Sequence, residues 1–252
     1  MLEAEIRKRR EKKDILLMTH IVLGYPSMDA SRKIAHQMVE AGVDLMELQI
    51  PFSEPIADGP VILHANQRAL AAGATVDGCF QLARELAKEL PIPFLFMSYY
   101  NVAWKRGIDR FAAQTREAGL RGAIIPDLPF EEGATLLSAF EQQALDPIFI
   151  FSPNTSESRM QKIAEHARGF VYCVARKGVT GSQTQFTELG DYLARCRRAT
   201  KLPLALGFGV KSREDVASIT GQADIAVVGS ETIRVVDQHG VDAVPGFIRG
   251  LR

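Results

Sequence analysis

Eight short runs rich in Val, Ile, Leu and Phe recur along the chain, at residues 16–22, 43–50, 93–99, 122–126, 147–151, 169–175, 202–208 and 224–229. Most are continuous in apolar residues rather than alternating, as strands covered on both faces must be. Between them lie segments of helical periodicity, among them 28–41, 77–90, 107–118, 131–144, 156–166 and 186–198. Ser27 can cap the first of these, Ser156 and Ser212 precede the fifth and seventh helices, and Gly42 and Gly119 can end helices in the left-handed conformation. Eight strands in strict alternation with helices predict a parallel sheet closed into a (β/α)8 TIM barrel, with residues 1–252 forming one domain. An open doubly wound sheet is the alternative, but no GxGxxG turn follows any strand. Two additions are predicted: residues 2–13 as an N-terminal helix across the bottom of the barrel, and 59–73 as a helix inserted after the second strand.

The composition adds to this picture mainly by exclusion. With 46% hydrophobic and 24% charged residues, the chain has the apolar mass of a large core. Thirty basic and thirty acidic residues cancel, which leaves no field to steer the protein to nucleic acid or to an anionic membrane. The basic run from Arg7 to Lys13 is interleaved with Glu3, Glu5 and Glu11 and reads as a solvated helix face. Cys79, Cys173 and Cys196 lack metal-ligand spacing and suit a reducing compartment. Without a run of about 18 apolar residues or a signal-like opening, the chain is expected to be soluble and cytoplasmic.

Phosphate chemistry is suggested by the ends of the last two strands. In such barrels the loops there, with the N-terminus of a short helix, offer free backbone N–H groups and a favourable helix dipole to an anion. Here Gly207-Phe208-Gly209 closes the seventh strand, and Gly229-Ser230 closes the eighth ahead of the helical stretch 231–236. Any one of these glycines is explained by a tight turn. Both pairs at both strand ends point to a phosphate cradle, over which the polar, glycine-punctuated loop 176–182 could close as a lid.

Period two along the second strand puts Val43, Leu45, Glu47 and Gln49 on one face. Glu47 is thereby embedded in an apolar strand near its C-terminal end. Partial desolvation there suits a carboxyl to donate and accept a proton near neutral pH, although a structural ion pair is the other reading. Asp58 follows eleven residues later, either as a second mouth carboxylate or as a cap or turn residue before Pro60. Spacing alone does not assign their roles. The five histidines, His20, His36, His64, His166 and His239, are scattered and form no metal set. No G-x-S-x-G elbow or paired Cys and His marks a covalent nucleophile.

Taken together, Glu47-Leu48, Pro51-Phe52-Ser53 and Ala57-Asp58-Gly59-Pro60, continued by Asn66 and Arg68, resemble the signature of tryptophan synthase α subunits. The resemblance runs on through Tyr99-Tyr100-Asn101, Pro126-Asp127-Leu128-Pro129, Arg176-Lys177-Gly178-Val179-Thr180-Gly181, Gly207-Phe208-Gly209 and Gly229-Ser230, in order and over nearly the whole chain. It implies a lyase of tryptophan biosynthesis that cleaves indole-3-glycerol phosphate to indole and glyceraldehyde 3-phosphate by a retro-aldol reaction, without a cofactor. It also implies a pyridoxal-phosphate-dependent β subunit as partner, in an α2β2 complex.

Residue by residue, the resemblance makes Glu47 the proton-transfer group and Asp58 the group that holds the indole N–H. Tyr172 becomes an active-site tyrosine, and Thr180 a lid residue that reaches the aspartate on closure. Gly181, Phe208, Gly209, Gly229 and Ser230 fall at substrate-binding positions. Two positions depart from the family pattern. Gln49 replaces a glycine on the face of Glu47, where its amide can hydrogen-bond close to that carboxylate, and Glu54 replaces an aspartate on a loop that in the family faces the β subunit. The competing readings are a catalytically weak barrel that mainly activates a β subunit, and a stand-alone enzyme on another phosphorylated substrate.

Overall fold

The computed structural model describes residues 2–175, 183–207 and 209–252, with residues 183–187 described through their backbone. Strands β1 (Leu16–Val22), β2 (Leu45–Gln49), β3 (Phe94–Met97), β4 (Gly122–Ile124), β5 (Asp146–Phe151), β6 (Val171–Val174), β7 (Leu204–Gly207) and β8 (Ile225–Val228) pair in parallel, each with the next. The sheet closes where β8 returns to β1, with Leu16 against Ile225. Several strands are shorter than the apolar runs that predict them. Val43 and Ile50 are buried just outside the β2 ladder, so the apolar run outlasts the pairing.

The helices are α1 (Leu2–Arg10), α2 (Met28–Glu40), α3 (Pro60–Ala71), α4 (Val76–Glu89), α5 (Tyr100–Arg106), α6 (Ile108–Glu117) and α7 (Ala134–Gln142). They continue with α8 (Glu157–His166), α9 (Gln183–Ala199), α10 (Arg213–Ile219), α11 (Ser230–His239) and α12 (Val244–Gly250). The caps behave as their chemistry requires: Ser27, Ser156 and Ser212 accept from the backbone N–H groups of Ala30, Arg159 and Asp215. The predicted helix over 131–144 is divided into a 3-10 turn, Phe130–Glu132, and α7, with Gly133 between them. Glycine is a poor helix former, and the break falls where it stands. The short α5 and α12 were not anticipated, because seven residues hold too few turns for a periodic pattern to register.

Side-chain alternation sorts the apolar residues into two layers. Met46 and Leu48 of β2 pack outward, with Ile21, Phe80, Phe96 and Phe111, between sheet and helices. Leu45 packs inward with Leu16, Met18, Leu95, Ile148 and Ile225 inside the barrel. The inward layer is sealed below by α1, whose Leu2 and Ile6 are fully buried in it. The Leu2 N–H donates to Asp146 Oδ2 at 3.1 Å, which ties the helix to β5. Close strand approach sets one further requirement: a Cβ on Gly122 would lie 1.9 Å from the Asp146 carbonyl oxygen.

Candidate active site

Glu47 and Gln49 share the inward face with Leu45, one and two steps nearer the C-terminal mouth, and both are buried. The β1–β2 register sets His20 opposite Glu47 and Val22 opposite Gln49. His20 Nδ1 lies 3.6 Å from Glu47 Oε1, within ion-pair range but beyond a good hydrogen bond. From across the barrel, the Tyr172 hydroxyl of β6 donates to the same oxygen at 3.4 Å. Burial, then the negative charges of Glu47 and Asp58, push that hydroxyl well above its ordinary pKa, so it stays a neutral donor.

Asp58 is carried over the mouth by the loop between β2 and α3. Two donors meet its Oδ2: the Gln49 amide at 2.7 Å and the Tyr99 hydroxyl at 3.0 Å. Tyr99 also accepts from the Ala57 N–H at 3.0 Å and stacks on Phe52, with ring centroids 5.2 Å apart. The buried Asn66 on α3 holds the base of the loop, accepting from the Phe52 N–H at 2.9 Å and donating to the Ile62 carbonyl at 2.8 Å. A carboxylate that receives two hydrogen bonds is fixed in place.

Beside Tyr172 a cavity of about 160 Å³ opens at the ends of β7 and β8, lined by Gly207, Gly209, Gly229, Ser230 and Arg234. Ser230 is the first residue of α11, so the positive end of that helix dipole faces the cavity. Gly209 has φ +87°, a left-handed conformation that favours glycine, and the space where its side chain would stand is open. Gly207 serves differently: a Cβ there would lie 3.0 Å from the Tyr172 ring and hydroxyl.

The mouth thus carries two carboxylates and an adjoining glycine-lined cavity at the start of α11, in the order of strands that the sequence predicts. The sequence model described as "Tryptophan synthase alpha chain" matches residues 6–245. This chain belongs to the tryptophan synthase alpha chain family. It is 62% identical to tryptophan synthase alpha chains of Syntrophotalea carbinolica and Desulforapulum autotrophicum, in each case over the full length of both sequences. Among solved structures, tryptophan synthase from M. tuberculosis in an aminoacrylate-bound form matches with a TM-score of 0.91 and 28% identity, covering 99% of this chain and 97% of the other. Tryptophan synthase subunit alpha from Legionella pneumophila matches with a TM-score of 0.90 and 31% identity, over 99% and 96%.

Of the residues that the likeness to the tryptophan synthase alpha chain singles out, Glu47, Asp58, Tyr172, Gly209, Gly229 and Ser230 come together at this mouth. Thr180, Gly181 and Phe208 lie outside the described residues. Gln49 differs from expectation, since its amide engages Asp58 rather than Glu47. Tyr99 stands in the family motif, but nothing in the sequence tied its hydroxyl to Asp58. His20 is one of five scattered histidines in the sequence, and aligning the inward faces of β1 and β2 is the signal that finds it.

Proposed function

We propose that this chain, as one barrel domain, carries out the retro-aldol cleavage of indole-3-glycerol phosphate through Glu47 and Asp58. The observation that carries this reading is the juxtaposition of those carboxylates, with Tyr172 joining them to a cavity of phosphate size. The substrate phosphate sits on the backbone N–H groups at Gly209, Gly229 and Ser230, where helix α11 begins. The indole then lies toward Asp58, whose carboxylate takes the ring N–H and stabilises the positive charge that appears when the ring carbon is protonated. Glu47 delivers that proton and removes one from the adjacent side-chain hydroxyl, and the C–C bond breaks to give indole and glyceraldehyde 3-phosphate. Tyr172, donating to Oε1, sets the orientation of Glu47. Thr180, Gly181 and Phe208 complete the pocket in this reading.

The same reading gives the chain a tryptophan synthase β subunit as partner, in an α2β2 assembly, and a cytoplasmic location. Among the described residues, no helix is long and apolar enough to cross a membrane. The surface around the β2 loop supports docking there. Ile56 on the loop is 81% and Trp104 on α5 65% exposed, and a cavity of about 560 Å³ is lined by Pro51, Phe52 and Ser53 of the loop, Asn101 and Val102 of α5, and the cations Lys105, Arg106 and Arg110. Glu54 is exposed on this loop and open to a cationic partner group.

The direct experiment is indole release from indole-3-glycerol phosphate by the purified chain, with and without a co-purified β subunit. Cleavage that rises on addition of the β subunit supports the reading. Absence of cleavage in both conditions, with the β subunit still activated, favours the barrel as an activator alone.

A further inference from the structure

One ionisable side chain in the mouth has no part in the function proposed above, the imidazole of His20. Alternation along β1 places it on the inward face with Leu16 and Met18, directly beside Glu47 in the register. Its side chain is 5% exposed and that of Glu47 3%, so water screens the pair poorly. Two buried atoms nearby, His20 Nε2 and Gln49 Oε1, have no hydrogen-bond partner among the described residues.

Charges from the neighbouring elements do not compete for the imidazole. On β8, Ile225–Val228 has no titratable side chain, and on the helices behind β1 Arg32 pairs with Glu85, Lys33 with Asp242 and Arg234 with Glu231. The groups that bear on it are Glu47, Asp58 beyond it, and the Gln49 amide; burial works against the imidazolium, but these outweigh it and raise the pKa.

We propose that His20 is a positioning residue that shares one proton with Glu47 and so keeps the carboxylate supplied for both of its transfers. The proposal rests on Glu47 as the proton-transfer group. At the start the pair holds one proton, as imidazolium and carboxylate or as imidazole and carboxylic acid. That proton passes through Glu47 to the indole ring carbon and leaves neutral imidazole beside a carboxylate. Glu47 then takes the proton of the substrate hydroxyl while the electrons of the breaking C–C bond return to the ring. The pair ends with one proton, as it began. Without His20, a carboxylate buried as Glu47 is would have to draw its first proton from water that scarcely reaches it. The transfer requires the 3.6 Å separation to shorten in the substrate complex, as catalytic contacts commonly do.

Two measurements test this. The first follows the His20 imidazole nitrogens by NMR across about pH 5.5 to 9, in the parent and in Glu47→Gln, with a short histidine peptide as external reference. The parent His20 should titrate above that reference, and Glu47→Gln should bring it below, because burial then acts with its main counterweight gone. The second compares kcat and KM across the same range for the parent and for His20→Asn, which keeps an N–H donor near the Nδ1 position but cannot titrate. That variant should lose about tenfold or more in kcat with KM within about threefold, and its alkaline limb should move to lower pH. A His20 midpoint indifferent to Glu47→Gln, or a parental pH profile in His20→Asn, overturns the proposal. Should His20→Asn fail to fold, the NMR titration decides alone. Failure of the underlying reading looks different: Glu47→Gln itself would retain parental turnover.

Discussion

The Gln49 amide donates to Asp58 Oδ2 at 2.7 Å, so a residue of the barrel strand steadies a residue of the loop that follows it. Hydrogen bonds to a charged group contribute about 1.5–3 kcal/mol, and leaving Asp58 with Tyr99 as its one remaining described donor should show in turnover. Gln49→Leu, which keeps the bulk and removes the amide, is expected to lower kcat/KM for indole-3-glycerol phosphate about tenfold or more. A steady-state assay at one pH is sufficient. An unchanged kcat/KM would mean that Tyr99 holds Asp58 unaided.

Gly207 gives a second handle on the same geometry. Because its Cβ would stand 3.0 Å from the Tyr172 ring, Gly207→Ala must displace that ring and weaken its hold on Glu47. Overpacking of this kind costs about 1–3 kcal/mol, roughly 2–10 °C in Tm for a chain of this size. The expected result is reduced kcat with modest loss of Tm by differential scanning calorimetry. Full turnover in a normally stable Gly207→Ala would remove Tyr172 from the account.

At the phosphate cradle, calorimetry with glycerol 3-phosphate separates side chain from backbone. Ser230→Ala removes one hydroxyl donor worth about 1 kcal/mol and should weaken binding about fivefold. Gly209→Val should do more, since φ +87° is strained for a β-branched residue and its side chain would enter the open space of the cavity. Affinity unchanged in both variants would place the phosphate elsewhere.

Stability at acid pH should depend on Asp224, at the entry to β8. Burial disfavours its charge, but the Arg197 guanidinium at 2.7 Å, the Leu204 N–H at 2.8 Å and Arg10 hold the carboxyl below the usual range. A depressed folded-state pKa contributes stability above the unfolded-state value, and that stability is lost as pH falls through the folded value. Asp224→Asn should therefore lower Tm at neutral pH by roughly 3–10 °C, and the gap from the parent should narrow as the pH is taken down. A gap independent of pH would contradict this assignment.

How far the sequence reaches is visible in particular residues. Period two along β2 sets Glu47 on one face with Leu45 and Gln49, while Val43, ahead of the strand, packs in the outer layer instead, and the glycines at the ends of β7 and β8 follow from what an anion requires of a strand end. His20 is different, because a histidine in an apolar run means little until β1 is set against β2, and that register is written in neither strand alone. Gln49 is legible as a neighbour of Glu47 but not as a donor to Asp58, since that contact depends on how the loop through Ala57 and Tyr99 folds back over the strand. The break at Gly133 is legible in the glycine itself, whereas the short α5 and α12 are hidden by the weakness of periodicity over two turns.

The central claim is that Glu47 moves the protons of the cleavage, and indole release by Glu47→Gln tests it most directly. The substitution keeps the size of the side chain and its neighbours His20 and Tyr172 but ends proton exchange. Losing a positioned general acid and base costs on the order of 10² to 10⁴ in rate, so the account predicts a fall of that size in kcat, with the fold intact by circular dichroism and glycerol 3-phosphate still bound. Indole released at the parental rate by the folded Glu47→Gln protein would contradict it.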